Sequence, residues 1–222
     1  MKTQLGRLDL RAVNGSLLPH RFFRHDETPR GLLFVLPGHA YSGDAPLLYY
    51  PALALREQGW DTLAISYSYQ SRMADASGEA VAEALQESRQ ALVAALSTRP
   101  YPAVALLGKS LGTAVAAYLV SDVPDLLDAP VAYLTPLIGS PLFDTPFATT
   151  RGPAYLALGT ADPYCDLQAL ERLRAARPFT LTKVEDADHG MNVAGDLDGS
   201  IRAVRRIALE AADFMSQHAS AD

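Results

Sequence analysis

Continuous apolar runs alternate along this chain with segments of helical period. Two arms, 5–13 and 17–23, flank Asn14-Gly15. That pair tolerates positive φ at both turn positions and predicts a β-hairpin. After a polar stretch at 26–30, residues 31–36 (Gly-Leu-Leu-Phe-Val-Leu) are apolar almost throughout, the pattern of a strand buried on both faces. Runs at 62–65, 103–107, 131–134 and 154–158 predict four more such strands. Residues 179–184 alternate more strongly and predict a strand nearer the sheet edge.

Between these runs, 47–58 has helical spacing and stops before Gly59, a C-terminal capping signal. Residues 78–96 place Val81, Leu85, Leu92 and Leu96 on one face with charges opposite. Residues 111–120 are small and apolar nearly all round, as in a helix packed into a core. Helical segments at 166–175 and 200–217 complete the set. Strands alternating with helices predict the α/β class, with a mostly parallel central sheet covered on both faces and an antiparallel hairpin at its N-terminus. Residues 135–153, rich in Pro, Thr, Gly and Phe, read as one long irregular connection. It is too short to be a cap domain, and connections of that length are usually functional. With no internal repeat, the expectation is a single domain over 1–222.

Composition narrows the function classes. About half of the 222 residues are apolar (49%) and a fifth are charged (20%), which excludes global disorder. The net charge of −6 comes without a basic face, so nucleic acid is not an expected partner. The single cysteine, Cys165, excludes an internal disulfide and a cysteine-cluster metal site; it is read as packed rather than reactive. No stretch approaches the ~18 consecutive apolar residues of a membrane span. The first residues lack a signal-peptide core. The expectation is a cytoplasmic location.

The sharpest chemical signal is Gly108-Lys109-Ser110-Leu111-Gly112. It fits G-x-S-x-G between a predicted strand and a predicted helix, the setting in which a serine is thrust out over the sheet's C-terminal edge. Gly108-Lys109-Ser110 is not the tail of a phosphate loop, because the first glycine of that motif is replaced by Ala103 inside the strand. A serine hydroxyl needs a base, normally a histidine oriented by a carboxylate. On this type of turn the partners follow in the order serine, acid, histidine. His189 and His218 are the histidines after Ser110; His218 lies in the tail, which leaves His189 in the loop after the last strand. Asp162 follows the strand at 154–158 and is the candidate acid. Asp144, in the long connection, is its competitor. Asp186 and Asp188 are too close in sequence to His189 to reach its ring easily.

With these residues in order, the chain from about residue 31 onward resembles the α/β-hydrolase superfamily, and most closely its small lidless members of the dienelactone-hydrolase and carboxylesterase kind. The resemblance implies that the loop after the third strand supplies an oxyanion-hole N–H. The matching stretch is Leu36-Pro37-Gly38-His39-Ala40-Tyr41, with proline where the family often has histidine. By position the donors are the backbone N–H groups of His39 and Leu111; the His39 side chain is expected in the pocket wall. Among the aromatic and apolar residues at the catalytic edge, Tyr41, Phe143, Phe147, Tyr164 and Met191 are expected to contact substrate, an acyl or aryl group suiting such a mouth.

The expected chemistry is serine hydrolysis of a small ester, thioester or amide through an acyl-enzyme, without metal or organic cofactor and with a small-molecule acyl substrate as partner. An acyltransferase would use the same residues, and the fold also hosts non-catalytic ligand-binding proteins.

Overall fold

A computed structural model describes residues 2–72 and 78–219. Eight strands form one sheet: β1 (Thr3–Gly6), β2 (His20–His25), β3 (Leu32–Leu36), β4 (Asp61–Ile65), β5 (Val104–Lys109), β6 (Val131–Leu134), β7 (Ala154–Gly159) and β8 (Thr180–Val184). Their spatial order is β1-β2-β4-β3-β5-β6-β7-β8. β1 and β2 pair antiparallel, as do β2 and β4, and every other pairing is parallel. The helices are α1 (Pro46–Glu57), α2 (Gly78–Leu96), α3 (Leu111–Asp122), α4 (Pro141–Thr149), α5 (Leu167–Ala176) and α6 (Leu197–His218).

The apolar runs have no polar side because each residue has a core to enter. In β3, Leu32, Phe34 and Leu36 join Leu106, Tyr133 and Leu156 beneath α2, α3, α4 and α5. Leu33 and Val35 point the other way and join Leu107, Leu134 and Ala157 beneath Leu48 and Leu55 of α1 and Ile207 and Met215 of α6. Period-two alternation thus feeds two cores, one on each face of the sheet. Parallel strands carry all their C-terminal ends to one edge, and the connections there hold the residues singled out above.

Two expectations change. The N-terminal hairpin turns through three residues, not two: Ala12 N–H donates to Ser16 O and Gly15 N–H to Ala12 O, each at 2.8 Å. Gly15 alone adopts positive φ there (83°), a type I turn closed by a left-handed glycine. Its arms are joined near the tip by an isolated Arg11–Leu17 bridge. The regular ladder of the second arm starts only after Pro19, which has no N–H to give. Residues 135–153 are also not irregular throughout. Ser140 caps α4 by accepting from Leu142 N–H, Pro141 occupies its first turn, and Phe143 and Phe147 lie one turn apart on its buried face.

Candidate active site

β5 ends at Lys109 and α3 begins at Leu111, so the chain reverses within a single residue. That residue is Ser110, with φ 53° and ψ −122°, a conformation costing on the order of 1–3 kcal/mol for a residue bearing a side chain. The surroundings impose it. Ser110 N–H donates to Leu134 O at 3.0 Å, and Ser110 O accepts from Thr113 N–H at 2.8 Å. A Cβ on Gly108 would lie 2.6 Å from Gly112 O, and one on Gly112 would collide with the carbonyls of Leu36 and Pro37. Strand and helix meet so closely that only hydrogen fits at either glycine.

Asp162 and His189 come from two neighbouring connections stitched into one unit. Thr160 N–H donates to Val184 O and Ala161 N–H to Ala187 O, both at 3.0 Å, and Asp186 N–H donates to Thr160 Oγ1 at 2.9 Å. Asp188 organises the turn under the histidine by accepting from the N–H groups of Gly190 (2.7 Å) and Asn192 (2.9 Å). The result is a chain of three side chains. His189 Nε2 lies 2.9 Å from Ser110 Oγ, and His189 Nδ1 lies 2.8 Å from Asp162 Oδ2. Asp162 Oδ1 accepts from Tyr164 N–H at 2.9 Å. The Asp162 carboxylate is fully buried, whereas the His189 side chain is 23% exposed. An ionised carboxylate only accepts, so Nδ1 carries the imidazole proton and Nε2 is left to accept from the serine hydroxyl. Asp144 is engaged elsewhere, accepting from Gly139 N–H within the entry to α4.

Ser110 opens onto a cleft of about 780 Å³ whose walls include His39, Ala40, Tyr41, Leu111, Leu137, Ile138, Leu142, Tyr164 and Cys165. Tyr164 also meets the His189 ring edge-on, centroids 4.8 Å apart. The N–H of Leu111 stands at the first position of α3, where no carbonyl of the same helix reaches it, and His39 lies across the cleft on the loop after β3. Leu137, Ile138 and Leu142 give the cleft an aliphatic side.

Three residues expected at the substrate are not there. Phe143, Phe147 and Met191 are fully buried and line no part of this cleft. The two phenylalanines stack on each other and meet Tyr133 edge-on, because α4 turns its apolar face inward. Met191 drops from the histidine loop into the core beneath α1 and α6. Cys165 is a half-buried wall residue whose thiol burial pushes upward in pKa, away from the reactive thiolate.

Lys109 is a site residue that sequence reasoning passed over. It is 3% exposed, its Nζ donates to His189 O at 3.1 Å, and it sits 4.7 Å from the Tyr41 ring centroid. Tyr41 in turn accepts through its hydroxyl from Leu47 N–H at the start of α1. Burial pulls the lysine down to about 8 against the opposing pull of Asp162 and Asp188. The one available signal was a lysine ending an otherwise apolar strand.

A second cleft, about 740 Å³, lies between α1 and α6. It contains no histidine or cysteine and no nucleophile–base pair, so the chemistry points to the first. Among the described residues, no three His, Cys, Asp or Glu side chains converge as metal ligands would, and no helix is long and apolar enough to cross a membrane.

The model of a family described as an alpha/beta hydrolase domain matches residues 37–216. Among solved structures, a dienelactone hydrolase from Anabaena variabilis superposes with a TM-score of 0.74 at 18% identity, covering 99% of this chain and 100% of the other. A lidless α/β serine hydrolase from Xanthomonas campestris gives 0.65 at 18% identity over 94% of each chain. The esterase domain of a Rhodothermus marinus protein gives 0.64 at 15% identity over 97% of this chain and 100% of that one. No curated protein matches the chain significantly. At such identities the solved structures establish the fold.

Proposed function

The chain belongs to the α/β-hydrolase family, and from that premise we propose that it is a serine hydrolase cleaving a small ester, thioester or amide through an acyl-enzyme. The observation that carries this reading is the unbroken relay of Ser110, His189 and Asp162, at 2.9 and 2.8 Å, on a turn that holds the serine in a strained conformation. His189 Nε2 takes the Ser110 proton as Oγ attacks the carbonyl carbon. The oxyanion is received by the N–H groups of His39 and Leu111, with the positive end of the α3 dipole behind it. Loss of one such donor typically costs about 3 kcal/mol of transition-state stabilisation. His189 then gives its proton to the leaving group, and the carbon–oxygen, carbon–sulfur or carbon–nitrogen bond breaks. Water repeats the sequence against the acyl-enzyme. Asp162 keeps the imidazole in the productive tautomer and balances the imidazolium.

Water entry favours hydrolysis over transfer to another acceptor, since the His189 side chain is partly exposed and Tyr164 beside it is half exposed. The aliphatic side formed by Leu137, Ile138 and Leu142 suits an uncharged acyl chain. A fluorophosphonate probe and a series of p-nitrophenyl esters of increasing chain length test the reading. Wild-type protein is expected to label and to turn over, and Ser110→Ala to lose both while keeping its fold. Labelling of Ser110→Ala at the wild-type rate, for instance through Cys165, overturns the assignment.

A further inference from the structure

We infer that Gln70 is a positioning residue that orients the oxyanion loop by holding the Gly38 and His39 carbonyls away from Ser110; the inference rests on the serine-hydrolase reading above. Gln70 stands in a single 3-10 turn, Ser68–Arg72, after β4. Its Nε2 donates to Gly38 O at 2.7 Å and more distantly to His39 O at 3.4 Å. Its Oε1 accepts from Tyr67 N–H at 3.0 Å. That last bond decides the amide's orientation: the Tyr67 N–H requires the oxygen on its side, so the NH₂ group faces the loop.

Peptide planarity converts this grip into an aim. The described peptides are all trans, and in a trans unit the carbonyl and the following N–H point in opposite directions. Holding Gly38 O toward Gln70 therefore turns His39 N–H to the opposite side. Holding His39 O does the same for Ala40 N–H. The loop has Ser110 close against it: a Cβ on Gly38 would lie 3.2 Å from Ser110 Cβ and 3.1 Å from Lys109 O. The neighbour of Gln70 completes the brace, since the Tyr69 ring stacks on His39 with centroids 5.6 Å apart and planes within 5°. Without the Gln70 donor, the Gly38–His39 peptide keeps only its isolated backbone bridge to Tyr41 and can more readily turn over and present its carbonyl, which would repel an oxyanion.

The test uses Gln70→Leu and the isosteric Gln70→Glu, with kcat and KM for one p-nitrophenyl ester, melting temperature and pH profiles. Gln70→Leu is expected to lower kcat by about 10- to 100-fold, short of the full loss of an oxyanion donor, with KM within about twofold of wild type. Gln70→Glu keeps the acceptor for Tyr67 N–H, so it isolates the donor. Ionised, it sets a carboxylate against two carbonyls. Protonated, it donates and accepts as the amide does. The ratio of Gln70→Glu to wild-type kcat is therefore expected to rise as pH falls, a rescue that a merely structural role would not produce. A pH-independent ratio, or losses of kcat that only track melting temperature, overturns the inference. So do wild-type rates in both variants. If the wild type neither labels with fluorophosphonate nor hydrolyses esters, the serine reading falls and takes this one with it. If it does both and Gln70 proves indifferent, only the role of Gln70 falls.

Discussion

Asp61 and Asp162 each bury a carboxylate completely, at opposite edges of the same sheet. Asp61 opens β4 at the N-terminal edge. Its Oδ1 accepts from His25 N–H at 2.8 Å, and its Oδ2 accepts from Tyr101 OH at 2.8 Å and from the Arg99 guanidinium, whose Nε lies at 3.1 Å. Arg99 also donates to the carbonyls of His25 and Glu27. The cation is permanent, and burial raises the Tyr101 hydroxyl further above neutrality, so the cluster exchanges no proton near neutral pH and serves as a rivet. Asp162 follows β7 at the C-terminal edge and has an imidazole and one backbone N–H instead. An imidazole can gain and lose charge. Burial alone does not separate a structural carboxylate from a candidate catalytic one; the chemistry of its partner does.

The sharpest contrast comes from paired substitutions. Asp162→Asn is expected to lower kcat by up to about 10⁴-fold while the melting temperature moves little, because the amide reverses the imidazole tautomer without emptying the site. Asp61→Asn is expected to do the reverse: lower stability, with kcat per folded molecule unchanged. Steady-state kinetics and urea unfolding on both proteins read the two axes. A crippled kcat in Asp61→Asn with normal stability would dissolve the distinction.

Arg99→Met probes the rivet from its other side. It strands a buried carboxylate, for which losses of about 3–5 kcal/mol are typical. Because part of the guanidinium meets solvent, the lower end of about 3 kcal/mol is expected. A loss below about 1 kcal/mol in urea unfolding would make the cluster an ordinary surface pair.

The parallel strands are legible in the sequence because burial on two faces removes every polar residue from a run such as 31–36. The helix α4 is harder to see. Pro141, Thr145, Pro146 and Thr149 give it the composition of a loop, although the Ser140 cap, a proline in the first turn and phenylalanines four apart were helix signals. Ser110, Asp162 and His189 stand out because the chemistry demands those residue types in that order. Phe143, Phe147 and Met191 mislead because a connection at the sheet edge has an inner and an outer side, and composition does not say which a residue takes. Lys109 shows only as a lysine ending an apolar strand, and Gln70 is not legible at all. Their places depend on connections after β3, β4, β5 and β8 converging, and no local pattern encodes that convergence.

The smallest expected effect is at Lys109, which touches both sides of the comparison: a permanent-looking cation, buried like a rivet, at the edge that holds the imidazole. Its ammonium is bonded to His189 O and faces the Tyr41 ring, Asp162 and Asp188. Above about 8 the lysine loses its charge and with it the cation–π hold on Tyr41, so kcat should decline a few-fold. Stability should move the other way. The folded-state value of about 8 lies below the ordinary 10.5, so between these values the unfolded chain binds more protons. The Lys109 contribution to stability therefore rises with pH from about 8, by at most about 1.4 kcal/mol per pH unit, until near pH 10, where the buried tyrosines Tyr67, Tyr69, Tyr133 and Tyr155, raised by burial, begin to pull stability down. Lys109→Met should abolish both trends, leaving an alkaline plateau at reduced kcat and a stability curve without the rise. An alkaline decline that survives in Lys109→Met would assign it to another group and leave Lys109 as packing alone.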